Sequence, residues 1–327
     1  MSAKRLFLRQ TAALVVAAIA CVPAMAQEGW KPVKPIRIVV GFAAGGPGDI
    51  IARAVAEPMG RMLGQSVIVE NKPGASGAIA QEYVNTAAPD GYTLFVGVAD
   101  TQAINPLVTP NYRVDAAAMT SVAPVITSSL LLCGSKAWGP KTLREAVDAA
   151  RSTGVSYAHW GAGSIGQLGM EALKKKANLS NLVGVQFPGV APGLQALMGN
   201  HVQMMILPAI NASTALDRLT CYATVSRERS AFAKDLPTTF EMGYDISSDS
   251  YMGIFGPPKM PKRIVEALHK AVAESVAEPA VTERFKAMGM SPHFTTTSEE
   301  YDRWIQQDRG RWKEVVRASG TGLTSEK

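Results

Sequence analysis

Ile36-Arg37-Ile38-Val39-Val40-Gly41-Phe42-Ala43-Ala44-Gly45-Gly46-Pro47-Gly48-Asp49 decides the fold class of this 327-residue chain. The β-branched run 36–40 predicts a strand. From Asp49 to Leu63 the apolar residues Ile50, Ile51, Ala54, Val55, Met59, Met62 and Leu63 recur at helical spacing. Between them, glycines let the backbone turn sharply and come close to a ligand. The start of the following helix offers unpaired N–H groups and partial positive charge, which suit an anion. Asp49 is placed to cap that helix by accepting one of those N–H bonds. The turn lacks the Gly-Lys-Ser/Thr of a nucleotide-triphosphate loop.

The same device recurs twice. Pro73-Gly74-Ala75-Ser76-Gly77-Ala78 follows the strand-like Val67-Ile68-Val69, and Gly161-Ala162-Gly163-Ser164-Ile165-Gly166 follows a strand at Val155–Ala158. The last is formally G-x-G-x-x-G, but Asn181 to Phe187, about twenty residues on, hold no acid for a ribose, which argues against a dinucleotide site. A carboxylate suits these turns equally well, each charge-assisted hydrogen bond being worth about 1.5–3 kcal/mol.

Outward from these turns, short apolar runs alternate with helical patterns, the signature of an α/β fold with parallel sheets covered by helices on both faces. Two places break the rhythm. Val122–Thr127 and Leu130–Cys133 are consecutive strand-like runs, and Ser250–Phe255 is a strand entered from a polar stretch. The expected division is therefore residues 27–128 with 251–327 as one domain and 129–250 as a second. Helices are expected over Pro261–Ala277, Pro279–Met288 and Ser298–Arg317, with Trp304 and Trp312 as packing anchors.

The chain begins with basic Lys4, Arg5 and Arg9, an uncharged run from Thr11 to Val22, and Ala24-Met25-Ala26. That order predicts a cleavable signal peptide over residues 1–26 and a periplasmic location; the uncharged run is too short to span a membrane. Removing those three cations from the 33 Lys and Arg leaves 30 against 27 acids, too nearly balanced to imply nucleic acid. Cys133 and Cys221 would survive processing, and the sequence leaves open whether they pair. The four histidines show no metal-ligand spacing. Ser164 lacks the glycine two residues before it that a nucleophile elbow needs, because Ala162 stands there. No catalytic set and no cofactor are expected.

At these turns the sequence closely resembles the Bug family, the extracytoplasmic solute receptors of tripartite tricarboxylate transporters. The resemblance rests on residues 35–40 running into 42–49, on Val69-Glu70-Asn71-Lys72-Pro73-Gly74-Ala75-Ser76-Gly77, on Ala88-Pro89-Asp90-Gly91-Tyr92-Thr93-Leu94 and on Ala103-Ile104-Asn105-Pro106. It implies a type II-like two-domain periplasmic-binding-protein fold, each domain a mostly parallel sheet flanked by helices, with the ligand cleft between. It implies a monomeric receptor whose partners are a small carboxylate and transporter membrane subunits. By position the ligand contacts would be Phe42, Ala43, Gly46, Gly48, Asp49, Ser76 and Thr101, with Gly163 and Ser164 from the second domain. Asp100 and Trp160 are added as candidates on their own chemistry.

The second domain departs from the family pattern. Gln167 stands where a histidine is common, Phe187-Pro188-Gly189 replaces Tyr-Lys-Gly, and Gln195, Gln203 and Leu207 occupy positions often acidic. Without those acids an amine-free organic acid, aromatic or aliphatic and with one or two carboxyls, is the expected ligand, with Phe42 or Trp160 as an apolar wall. Asp100, where relatives carry a small neutral residue, keeps an amino-acid ligand open. A sensor without a permease and a carboxylate-acting enzyme are the remaining alternatives.

Overall fold

A computed structural model of the chain describes residues 30–109, 112–230 and 232–319. The expected signal peptide lies outside them. Strand β1 (Ile36–Val40) runs into helix α1 (Pro47–Leu63), which returns to β2 (Val67–Asn71). Helix α2 (Ala78–Asn85) then leads to β3 (Thr93–Val98). One face of α1 buries Ile51, Val55 and Met59 completely. Each such side chain stabilises the fold by about 1.5–3 kcal/mol.

Both neighbours of β1 are parallel to it, β2 on one side and β3 on the other. The turns after all three strands therefore gather at one edge, and the winding reverses at β1, where a crevice opens outside the carboxyl ends. The sheet continues through β10 (Ser250–Gly256), β4 (Thr120–Ser128) and β11 (Met290–Pro292), each antiparallel to its neighbour.

The second sheet repeats the logic. Strand β6 (Val155–His159) lies between β7 (Leu182–Gln186) and β8 (Met204–Pro208), parallel to both. Strands β5 (Leu130–Ser135) and β9 (Leu219–Thr224) complete it in antiparallel pairing. Helices α4 (Leu143–Thr153), α5 (Ile165–Lys176) and α6 (Val190–Met198) connect the strands, after a single short turn, α3 (Asn105–Val108), in the first sheet's region. A further short helix, α7 (Ala209–Ser213), follows β8.

Both sheets are thus mixed rather than mostly parallel, with parallel pairing confined to β1, β2 and β3 in one and β6, β7 and β8 in the other. The antiparallel pairs are those made by β10, β11 and β5 with their neighbours. Strand β4 hands over to β5, in the other sheet, across the single residue Ser129. The chain returns through residues 225–249 to β10, and α8 (Lys262–Ala277), α9 (Pro279–Ala287) and α10 (Ser298–Ser319) close it. Trp312 is fully buried, and Trp304 meets Tyr251 edge-on at 4.9 Å between ring centres.

Strand β8 begins two residues later than the apolar run from Val202 suggests. His201 N–H still bonds Ala196 carbonyl oxygen, and Asn200 adopts a left-handed conformation, so the turn extends to Gln203. No helix among the described residues is long and apolar enough to cross a membrane.

Cys133 and Cys221 form a disulfide across the paired strands β5 and β9. It closes a loop of 88 residues in sequence separation. Replacing Cys221 with serine should lower the free energy of unfolding by about 2–4 kcal/mol, read as a fall in denaturant midpoint. An unchanged midpoint would show that the link does not constrain the chain.

Candidate functional site

The turn after β1 is shaped from within. Gly46 is the residue that caps α1, with its N–H on Ala43 carbonyl oxygen at 3.2 Å. Asp49 is not the cap but sits inside the first helical turn. Its carboxylate reaches back to Gly45 N–H at 3.0 Å and pairs with Arg53 one turn on at 3.0 Å. Burial pushes this carboxyl up, but Arg53, Gly45 and Asn71 together hold it below the usual carboxylate range. Its charge is therefore neutralised locally. Gly48 is buried because a side chain there would press on Val40 at 3.3 Å, so its smallness serves helix-on-sheet packing. The N–H groups of Gly48 and Asp49 lie in the first turn, where no intrahelical acceptor reaches them. Ala43 is exposed and Phe42 half-buried.

Two asparagines that the sequence reading passed over hold the turns in place. Asn71 donates to Phe42 carbonyl oxygen at 3.1 Å, and Asn105 donates to Ser76 carbonyl oxygen at 3.0 Å. Both lie inside the stretches that carried the resemblance, each at the end of an element, and that was the available signal. Ala75 and Ser76 adopt left-handed backbone, with φ of 47° and 51°. Thr101 is fully buried, and its hydroxyl is engaged with the Val98 backbone at 3.1 Å, on both N–H and carbonyl oxygen. Its methyl packs against Gly77, where an added side chain would come within 2.7 Å.

The turn after β6 faces these elements. Ser164 caps α5, accepting from Gln167 N–H, and Gln167 returns its side-chain oxygen to Gly163 N–H at 2.6 Å. The pair resembles a capping box, except that the Gln167 amide reaches one residue further back, to Gly163 instead of the cap Ser164. Trp160 packs over Gly166 and is 7 % exposed.

Three contacts close the two sheets on each other. Gly161, with φ of 151°, lies so near Ser76 that an added side chain would meet its hydroxyl at 2.1 Å. Gly163 lies equally close to Val108. Asp100, 4 % exposed, accepts from Ile165 N–H at the start of α5 at 3.0 Å. Burial pushes the Asp100 carboxyl up to about 6, against the pull of Ile165 N–H, its own N–H and the Trp160 indole. Phe42, Ser76, Asp100, Thr101, Trp160, Gly163 and Ser164 thus converge. Ala43 stays outside the packed contacts.

A cavity of about 1470 Å³ lies elsewhere, along α5, α10 and the crossovers between sheets. Its walls mix Lys175, Arg227 and Arg311 with Asp245, Asp249 and Asp308, so it presents no uniform charge to an anion. Among the described residues no group of three or more His, Cys, Asp or Glu could hold a metal ion.

Residues 51–321 match the family model described as the tripartite tricarboxylate transporter family receptor. The chain belongs to that family. A UPF0065 protein of Bordetella bronchiseptica is 32% identical over 271 residues, 82% of this chain and 80% of its own length. Among solved structures, MatC of Rhodopseudomonas palustris with bound malate is 31% identical with a TM-score of 0.81, covering 87% of this receptor and 99% of that chain. A second R. palustris protein, solved with adipate, is 26% identical with a TM-score of 0.83 over 88% of this receptor and 98% of its own chain. The periplasmic binding protein BugD is 28% identical with a TM-score of 0.83, over 89% and 99%. The fold is theirs: two mixed α/β sheets flanked by helices, in two domains.

Two outcomes follow for this receptor. Gly161→Ala adds a methyl where the Ser76 hydroxyl sits and forces a rare backbone angle, so it should hold the sheets apart and cost about 1–3 kcal/mol of stability. An unchanged radius of gyration and melting temperature would contradict this. The second concerns pH. The folded chain raises the Asp100 carboxyl from 3.8 to about 6, so it binds this proton more tightly than the unfolded chain does. The stabilising contribution is complete below the unfolded value and is lost as pH rises towards about 6. Asp100→Asn should flatten the fall in stability over that window, by up to about 1.4 kcal/mol per pH unit. Parallel curves for the two proteins would refute the assignment.

Proposed function

We propose that this protein is a periplasmic receptor that captures a small, amine-free organic carboxylate by domain closure and delivers it to the membrane subunits of a tripartite tricarboxylate-type transporter. The observation that carries the reading is the convergence of three glycine-rich, helix-opening turns, two from one sheet and one from the other. The first presents the N–H groups of Gly48 and Asp49 beside a carboxylate already neutralised by Arg53. Phe42 and Ser76 complete that face. The moving units in this reading are residues 27–128 with 251–327 and residues 129–250, hinged at Ser129 and at the return through 225–249. Ligand binding shifts the open–closed equilibrium, and no bond is made or broken.

The malate and adipate bound by the two R. palustris relatives support a carboxylate ligand. A disulfide between Cys133 and Cys221 suits an oxidising compartment, which supports export through the signal peptide over residues 1–26. The absence of an amine from the ligand is supported by the second sheet's side chains. Gln203 is taken up by Ser156, and Gln195 is exposed. An amino-acid ligand has one observation in its favour: Asp100 is a buried carboxylate with no cation among the described residues that act on it.

Thermal-shift screening against organic acids and amino acids separates the two. Amine-free acids should raise the melting temperature, and native mass spectrometry should recover the bound acid unchanged. Stabilisation by amino acids alone would overturn the amine-free reading. Turnover of a bound acid would replace the receptor with an enzyme.

A further inference from the structure

The two ends of the cleft are not equivalent. At the first, the acid is Asp49, and Arg53 lies against it at 3.0 Å. At the second, three of the donors around the start of α5 are already taken by the chain itself. Gly163 N–H is held by the Gln167 side chain, Gln167 N–H by the Ser164 hydroxyl, and Ile165 N–H by Asp100. The helix terminus, where partial positive charge would attract an anion, therefore carries one that arrives from the opposite sheet. Among the described residues that anion has no cation partner, since the groups acting on it are Ile165 N–H, its own N–H and the Trp160 indole.

From this we infer that Asp100 restricts the receptor to acids with a single carboxylate, by seating its own carboxylate where a second ligand carboxylate would need donors. The inference rests on the carboxylate-receptor reading and narrows it. A ligand's one carboxylate is received by the first-sheet turns. A second carboxylate extending towards α5 would find the Gly163, Ile165 and Gln167 N–H groups engaged and would lie beside an unneutralised charge of the same sign. Like charges in a poorly solvated site repel strongly. Asp100 acts as a specificity-determining residue through charge and occupancy together, because a neutral residue at position 100 would leave Ile165 N–H open.

The test uses matched pairs that differ by one carboxylate: butyrate and succinate, hexanoate and adipate, benzoate and terephthalate. Calorimetric titration of the mature protein should show the monoacid of the best-binding pair favoured about tenfold or more over its diacid. Asp100→Ser should reduce that preference to near unity or reverse it. Asp100→Asn keeps an acceptor for Ile165 without the charge and should also weaken the preference, so the test survives if the serine variant folds poorly. A wild-type protein that prefers the diacid, or a preference unmoved by both variants, would overturn the inference while leaving the receptor reading in place. Absence of binding by all six acids to wild type and variants alike would overturn the receptor reading beneath it.

Discussion

A helix that starts directly after a parallel strand leaves its first N–H groups without backbone partners, and burying them unpaired costs about 1–3 kcal/mol each. This chain meets that constraint at both sheets, and the architecture of the cleft follows from how each instance is satisfied. Where the chain supplies its own acceptors, as Ser164, Gln167 and Asp100 do for α5, the terminus becomes a structural joint. Where it does not, as at Gly48 and Asp49, the first-turn N–H groups are the ones we propose for the ligand. The glycines and asparagines around these termini are best understood as what lets the turns approach one another closely enough for either outcome.

Much of this was legible in the sequence because period and punctuation agreed. The run 36–40, the helical stripe after Asp49 and the glycines between them correspond to β1, α1 and the turn between them. The break at Val122–Thr127 and Leu130–Cys133 marks the place where the chain leaves one sheet for the other. What sequence could not show was direction. Antiparallel pairing of β4, β5 and β10 depends on which strands become neighbours, and local pattern carries no record of that.

The site was legible as a set of turns but not as a set of bonds. Asp49 reads as a helix cap from its position alone. It proved to be a brace between Gly45 and Arg53, because glycine took the capping position and Arg53 fell one helical turn away. Thr101 looked free to bind, yet its hydroxyl closes on the Val98 backbone. The significance of Asp100 lies in a neighbour 65 residues distant, which no window along the chain contains. The open question of Cys133 and Cys221 was of the same kind, since their pairing depends on β5 and β9 lying side by side.

The central claim is that the glycine-rich turns, and not the cavity beside α10, receive the carboxylate. A crystal structure of the protein with the acid that co-purifies from the periplasm tests it most directly. The account predicts the acid's carboxylate within hydrogen-bonding distance of the Gly48 and Asp49 N–H groups and beside Ser76. An acid seated instead in the cavity of about 1470 Å³, against Arg311 and Lys175, would contradict it.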